Sequence, residues 1–507
     1  MRKKILTIIA VLLFIVIIAA CDNDDNNSSD GNSLQESSLT ESEVSSQDSL
    51  EESYIEISTF VSEDESSVME QSYNTSDSSD IEASDNSGET SSNDTSSIID
   101  ISSDESNSDT IEPEPPVLTA VDVPKVYLTA TDEVNHDVYV DAKIRVFDPE
   151  GNFDEINDDT GSIRIRGNST SSGAKKPYNI KFSSKETLLG LGKAKKWCLL
   201  ANMYDKTLIR NKLSYDFATE IGMQYVSNSA FVDVYLNNVY LGNYLLTEAV
   251  DVGGTGVDID TDGNEFLFEF EPWEHYSNPE WIRTPVYSIL LGFNDPEAPS
   301  AEQRQYLDTF FSDAENALTS KSLKNVEKYF DIPSMVDFYI VNEYFKNVDF
   351  STSSTRFYLK AGKIYGGPVW DFDLSAGNCY SGYYKEYNNV GGSGDSTEGF
   401  YCQRLWYSYL FKCNGFSDLV KERYLELQPF IINLTTDNEL GKNKIDRLLI
   451  QYGKSFDDNY KKAGWIITRK DSDYERVPFN TYDKNISYLR EWLIKRNEWL
   501  LEEWDLK

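Results

Sequence analysis

Two aspartates, Asp349 and Asp371, stand 22 positions apart in short loops, and a third, Asp373, follows in the run Val369-Trp370-Asp371-Phe372-Asp373. Carboxylates brought together in this way suit metal-assisted phosphoryl transfer. One orients or deprotonates an attacking hydroxyl, while another holds magnesium, which takes a few carboxylate oxygens together with substrate oxygens and water. A single Asp in a Gly/Asn/Ser loop is usually a turn-former or a helix cap, so the pairing carries the reading rather than either residue alone. The same pair also fits a glycosidase, which needs two carboxyls at a fixed separation across a sugar cleft and no ATP. Other chemistries are poorly provided for. The only two histidines, His136 and His275, lie far apart, and neither has a zinc ligand or a triad partner at recognisable spacing.

Positioning these aspartates requires a helix, a hairpin and two loops. Met335, Val336, Phe338, Tyr339, Val341, Tyr344 and Phe345 recur at helical spacing after Pro333 and predict a buried helix that delivers Asp349. Arg356-Phe357-Tyr358-Leu359-Lys360 reads as a strand, 361–363 as a turn and Ile364-Tyr365 as its return. Helix, acidic loop, hairpin and acidic loop then bring Asp349 and Asp371 to one sheet edge. Upstream, short strands are expected at 126–128, 138–140 and 144–147. Residues 162–182 read as strand, Gly/Ser loop and strand, and Lys181 follows the loop. Backbone N–H groups of such a loop and an ammonium suit nucleotide phosphates. Asp205 precedes a helix carrying Leu208, Ile209, Leu213, Phe217 and Ile221, and Gly222 is its natural stop. Residues 231–248 form a hairpin with Asn237-Asn238 at the turn. Residues 251–262 read as a solvated Gly- and acid-rich turn, 266–270 as a strand, 302–318 and 322–330 as helices, and 406–504 as largely helical.

These blocks resemble the spore coat protein H (CotH) kinase family. The resemblance rests on Asn347-Val348-Asp349, on Phe357-Tyr358-Leu359-Lys360, and above all on Gly367-Pro368-Val369-Trp370-Asp371-Phe372-Asp373 with Gly377-Asn378. Arg166-Gly167-Asn168-Ser169 with Lys175-Lys176-Pro177-Tyr178, and the block containing Arg210, are similar to the family's earlier signatures. The resemblance implies an α+β, divergent (atypical) protein-kinase-like fold with an antiparallel sheet and a helical C-terminal part. It implies ATP and Mg2+ as cofactors, Asp349 as the catalytic aspartate and Asp371, with Asp373, as metal ligands. Arg166 and Lys181 are then expected to hold phosphates, with Arg164 and Lys176 as further candidates. Arg210 would contact phosphate or tie its helix to the strands, and Glu248 would stand where the hairpin reaches the adenine. Two departures from ordinary kinases are visible: there is no His-Arg-Asp, and Ser354 occupies the position of a magnesium-binding Asn. Asp373 or Asn378 would have to supply the missing ligand.

Composition divides the 507 residues unevenly. Of the net charge of −40, 27 acidic and no basic residues fall between Cys21 and Val117. A chain this acidic is a poor nucleic-acid binder, because phosphate contacts need Lys and Arg. Met1-Arg2-Lys3-Lys4 and the apolar run 5–20 read as a signal peptide of residues 1–20, and Ile18-Ala19-Ala20-Cys21 as a lipoprotein box with Cys21 as the lipidated residue. Residues 21–116 read as a disordered acidic Ser-rich stalk, too polar to offset chain entropy, and 117–507 as the kinase-like domain. The expected protein is therefore lipid-anchored and extracytoplasmic, acting on Ser/Thr of exported proteins, its own stalk among them. The rival reading is a catalytically inactive surface lipoprotein that uses its aromatic surface for adhesion. Cys198, Cys379, Cys402 and Cys413 are free to form disulfides in an exported chain, with Cys402 and Cys413 the nearest pair.

Overall fold

The strands of the first half alternate buried and exposed residues, as in Val140–Phe147, where Ala142, Ile144 and Val146 point inward. Seven such strands close on themselves. They are β1 (Lys125–Ala130), β2 (Val140–Phe147), β3 (Ile156–Ile165), β4 (Tyr178–Thr187), β5 (Lys193–Leu200), β6 (Ser229–Leu236) and β7 (Val239–Glu248), in the order β1-β2-β3-β4-β5-β7-β6. Neighbours are antiparallel except β1 and β6, whose parallel pairing completes the barrel. The computed structural model describes residues 118–270, 280–380 and 396–507, all within the unit Asp109–Lys507. The expected signal peptide, Cys21 and the expected stalk lie outside the described residues, as do His275 and the middle of the aromatic loop 379–400.

Barrel closure goes beyond the expected antiparallel sheet, and its physical reason is the length and twist of the strands. Curling the seven strands onto themselves buries inner rows such as Ile163, Ile180 and Trp197. The β6–β7 turn follows the sequence expectation: Asn237 and Asn238 have φ of 49° and 66°, the left-handed pair that a two-residue hairpin turn requires.

A second sheet has the order β12-β11-β8-β10-β9. It comprises β8 (Phe266–Phe270), β9 (Trp281–Arg283), β10 (Leu290–Asp295), β11 (Thr355–Lys360) and β12 (Lys363–Gly366). All its pairings are antiparallel. The helices are α1 (Arg210–Glu220), α2 (Ala301–Thr319), α3 (Leu323–Val326), α4 (Ile332–Tyr344), α5 (Tyr407–Leu410), α6 (Phe416–Glu426), α7 (Gln428–Asn433), α8 (Lys444–Lys461) and α9 (Tyr482–Glu503). The molecule is thus a mixed α+β protein with a helical C-terminal part. Among the described residues no helix is long and apolar enough to cross a membrane.

Several boundaries differ from the sequence expectation. The helix read from Asp205 begins at Arg210, because the Asp205 carboxylate first accepts from Thr207 N and Arg210 N in a capping turn. Its stop at Gly222 holds: Gly222 N reaches Thr219 O and Met223 N reaches Ala218 O, the paired bonds of a left-handed glycine cap. The helix expected over 322–330 shrinks to α3, and the strand expected at 138–140 begins only at Val140. α4 fits the expectation, with Asp331 capping Ser334 N and Pro333 in the first turn. The four described cysteines are buried, and no disulfide joins Cys402 to Cys413.

Candidate active site

The expected order of helix, acidic loop, hairpin and acidic loop is present as α4, residues 345–354, β11–β12 and residues 367–378. α4 is buried along most of its length, and the loop after it returns through a tight turn. There the Asp349 carbonyl accepts from Thr352 N and Ser353 N, both at 2.9 Å. The second loop leaves β12 and reaches Asp371, whose φ is 60°. A left-handed conformation at a non-glycine residue is strained and must be held by its surroundings. α1 does the holding: Phe372 N donates to Asn211 Oδ1 at 2.7 Å, and Asp371 N approaches the Tyr215 hydroxyl at 3.4 Å. At its far end the loop is fixed by Ala376 N on Phe345 O at 2.6 Å. Asn378 Nδ2 also donates to Asp373 O at 2.7 Å and to Tyr204 O at 3.0 Å.

Arg210 is part of this support. It is buried, its Nε donates to Ser375 O at 3.0 Å and its Nη2 to Ala376 O at 3.2 Å, and Nη1 meets Asp205 at 2.5 Å and Thr207 Oγ1 at 3.3 Å. Of the two roles open for Arg210, the structure supplies the positioning one, since its guanidinium is taken up by the loop and by Asp205. Glu248 is likewise set apart from the aspartates. It pairs with Trp197 in the β5–β7 ladder, and its carboxylate accepts from Thr255 Oγ1 in the following turn. Burial raises its pKa, with Asp251 adding to the effect.

Asp349, Asp371 and Asp373 lie near enough for the charges of Asp371 and Asp349 to act on Asp373. Burial is the main cause that holds Asp373 well above the ordinary carboxylate range, and the charges of Asp371, Asp349, Asp205 and Glu475 add to it. Burial also raises Asp371, against the pull of Arg166 and Arg356. Ser354, standing where a kinase has a magnesium-binding Asn, gives its side chain to Asp371 as a hydrogen-bond partner.

Trp370 is the centre of the cationic half of the site. The Arg166 guanidinium lies 5.5 Å from its ring centroid and that of Arg356 5.4 Å, while Tyr215 stacks on it at 6.1 Å. Arg356 is also paired with Glu269, its register partner on β8, at 2.5 Å. Glu269 in turn accepts from Asn294 Nδ2 at 3.0 Å. Lys181 is not part of this group. Its ammonium lies 5.9 Å from the Tyr139 ring, beside Arg164 at 4.7 Å. Lys176 donates to Ser171 O inside its own loop.

Sequence reasoning missed Arg356, Glu269, Trp370 as a stacking platform, and the Asn211/Tyr215 pair. Asn211 and Tyr215 are four apart and so share a helix face, a signal that was readable. That this face meets residues 371–372 was not. Arg356 opened a strand already recognised, but strand alternation does not say which cation is paired with which acid.

The donor set fits a nucleotide with magnesium. Guanidiniums suit phosphate oxygens, and the buried Nε of Arg356 has no partner among the described residues. Among those residues no three His, Cys, Asp or Glu side chains converge as metal ligands. Magnesium commonly takes only one or two carboxylates, and substrate phosphates and water complete its shell. Asp371 and Asp373, close together and resisting ionisation, are a pair that a divalent cation would relieve.

Comparison with protein-family models gives a match to a model described as CotH kinase protein, over residues 163–500. That span contains β4 to β12, α1 to α8, most of α9, and Arg166, Arg210, Asp349, Arg356, Asp371 and Asp373. No curated protein matches this chain.

Proposed function

Since this chain belongs to the CotH kinase protein family, we propose that it is an extracytoplasmic, lipid-anchored atypical kinase that transfers the ATP γ-phosphoryl group to Ser or Thr of exported proteins. The observation that carries the reading is that Asp371, which shares its field with Asp349 and Asp373, feels the charges of two arginines placed over Trp370. This is the balance of charge that a phosphoryl transfer site requires. In this reading the fold is a far-diverged kinase architecture, and the Cys21 box supplies the anchor.

Asp349 takes the proton of the acceptor hydroxyl as its oxygen bonds to the γ-phosphorus and the bond to the ADP oxygen breaks. Asp371 and Asp373 would hold magnesium, with Ser354 orienting Asp371. The chemistry that the metal would supply when bound is to offset phosphate charge. Arg166 and Arg356 neutralise the equatorial oxygens, and Glu269 keeps the Arg356 guanidinium aimed at Trp370. Arg210 and Asn211 hold the second loop in the conformation that presents Asp371.

The test uses the full-length protein in detergent with radiolabelled ATP, magnesium and a Ser-rich acceptor. Incorporation is expected, and Asp349→Asn and Asp371→Asn should each lower the rate by about 10²–10⁴-fold. Ser354 in place of Asn favours the rival, a binding module that keeps the fold without catalysis. No incorporation, together with no ATP- and magnesium-dependent rise in Tm, would remove the kinase reading and leave that module.

A further inference from the structure

Arg164 and Lys181 remain outside the transfer site just described. Ile163, Ile180 and Trp197 are register partners that point into the barrel and are fully buried. Alternation therefore puts Arg164, Asn179 and Cys198 in one row on the outer face, and Ser162, Lys181 and Lys196 in the next. Arg166 follows immediately after β3, its N–H on Pro177 O and its guanidinium over Trp370. Three cations thus follow one another outward from Asp371, roughly 7 Å apart along the strands.

Two of them converge on a single ring, with Arg164 4.7 Å and Lys181 5.9 Å from the Tyr139 centroid. Like charges repel, and the ring quadrupole only partly offsets that. Among the described residues neither cation has an ion-pair partner, and the Arg164 Nε is buried without a hydrogen-bond partner. An orphaned guanidinium nitrogen beside an ammonium is a place for an anion. The surrounding charge extends it: of the nine Lys and Arg in residues 161–200, Lys175 is buried on Ala201 O and Lys196 is paired with Asp251, and three of the others, Lys185, Lys193 and Lys195, stand exposed.

We propose that Arg164 and Lys181, seated on Tyr139, form a subsite that receives an acidic side chain of the acceptor polypeptide close to the hydroxyl being phosphorylated. The inference rests on the kinase reading for its purpose. It gives that reading a substrate class: Ser or Thr flanked by Asp or Glu. Acceptors of this type occur in the chain's own residues 102–110, Ser-Ser-Asp-Glu-Ser-Asn-Ser-Asp-Thr.

The test measures binding before catalysis. A fluorescent peptide with the sequence of residues 102–110, and a counterpart with every Asp and Glu changed to Asn and Gln, are titrated by anisotropy into the full-length protein without ATP. The acidic peptide should bind more tightly. Arg164→Gln and Lys181→Gln should each weaken it about tenfold, Arg164→Lys should retain part of the affinity, and the neutral peptide should not respond. In transfer assays the peptide KM should rise with no change in KM for ATP. Equal binding of the two peptides, or a rise in ATP KM in place of peptide KM, would overturn the proposal, the latter reassigning the pair to nucleotide phosphate. Charge-dependent binding to phosphatidylserine vesicles with no preference between the peptides would overturn it in favour of a membrane contact. Charge-selective peptide binding without transfer would leave the subsite standing and remove the kinase reading instead.

Discussion

Lys346 illustrates how far a single side chain can depart from its ordinary behaviour. It lies just after α4, fully buried, with its ammonium on Ser396 O and Glu398 O. Burial, with Arg496 nearby, pushes it down to about 7, against the pull of Glu343, Cys379 and Cys402. Between about 7 and the ordinary lysine value near 10.4, the unfolded chain keeps a proton that the folded chain gives up. Stability should therefore climb with pH across that window, by at most about 1.4 kcal/mol per unit, and should be lost as the pH falls toward 7. Urea melts of wild type and Lys346→Met at pH 7 and pH 9 check this. The variant should show a shallower slope, because Lys175, which burial also pushes well down, keeps its own share, and an unchanged slope would show that Lys346 does not set it. Arg356 makes the same point about context: a strand residue in sequence, it becomes a paired and stacked cation only where β11 meets β8 and Trp370.

At the scale of elements, α1 has two ends with different tasks. Its C-terminal end stops in the glycine cap at Gly222, a local matter of backbone sterics. Its N-terminal end holds residues 371–376 through Arg210, Asn211 and Tyr215. Arg210→Lys keeps a charge for Asp205 but cannot reproduce the planar fork that reaches Ser375 O and Ala376 O. A loss of roughly 1.5–3 kcal/mol in stability is expected, together with faster hydrogen exchange at residues 371–378. If exchange there stays at the wild-type rate, Arg210 is not what restrains the loop. The loop's other anchor is α9. Gly377 has a φ of 76°, and a Cβ there would lie 2.5 Å from the Trp492 ring, so glycine is required by both conformation and packing.

Across the whole molecule, the last helix completes the first loop. Arg496 of α9 and Glu343 of α4 form a fully buried ion pair at 2.6 Å, and Glu343 also accepts from Tyr401 N at 2.8 Å and Cys402 N at 2.7 Å. Arg496 further donates to Glu343 O, Thr397 O and Gly399 O. Removing one partner of such a pair leaves a buried charge uncompensated. Glu343→Gln should cost about 3–5 kcal/mol, read as a lower denaturation midpoint at unchanged slope. A cost below about 1 kcal/mol, the level of a surface pair, would show that water reaches Arg496.

Much of this protein was legible in the order of its residues. Helical spacing after Pro333, the Asn237-Asn238 turn and the glycine stop at Gly222 are local, since each depends on backbone sterics within a few residues. The two acidic loops around one hairpin were legible for the same reason, and the resemblance in the Gly367 to Asn378 block named the family that the family model then matched. What only the tertiary structure decided is which distant groups meet. Closure of the barrel through β1 and β6, the division of the cations between Trp370 and Tyr139, and the pairing of Arg356 with Glu269 join residues tens to hundreds of positions apart. Burial and charge pairing arise from packing between elements, and no spacing along the chain records that contact.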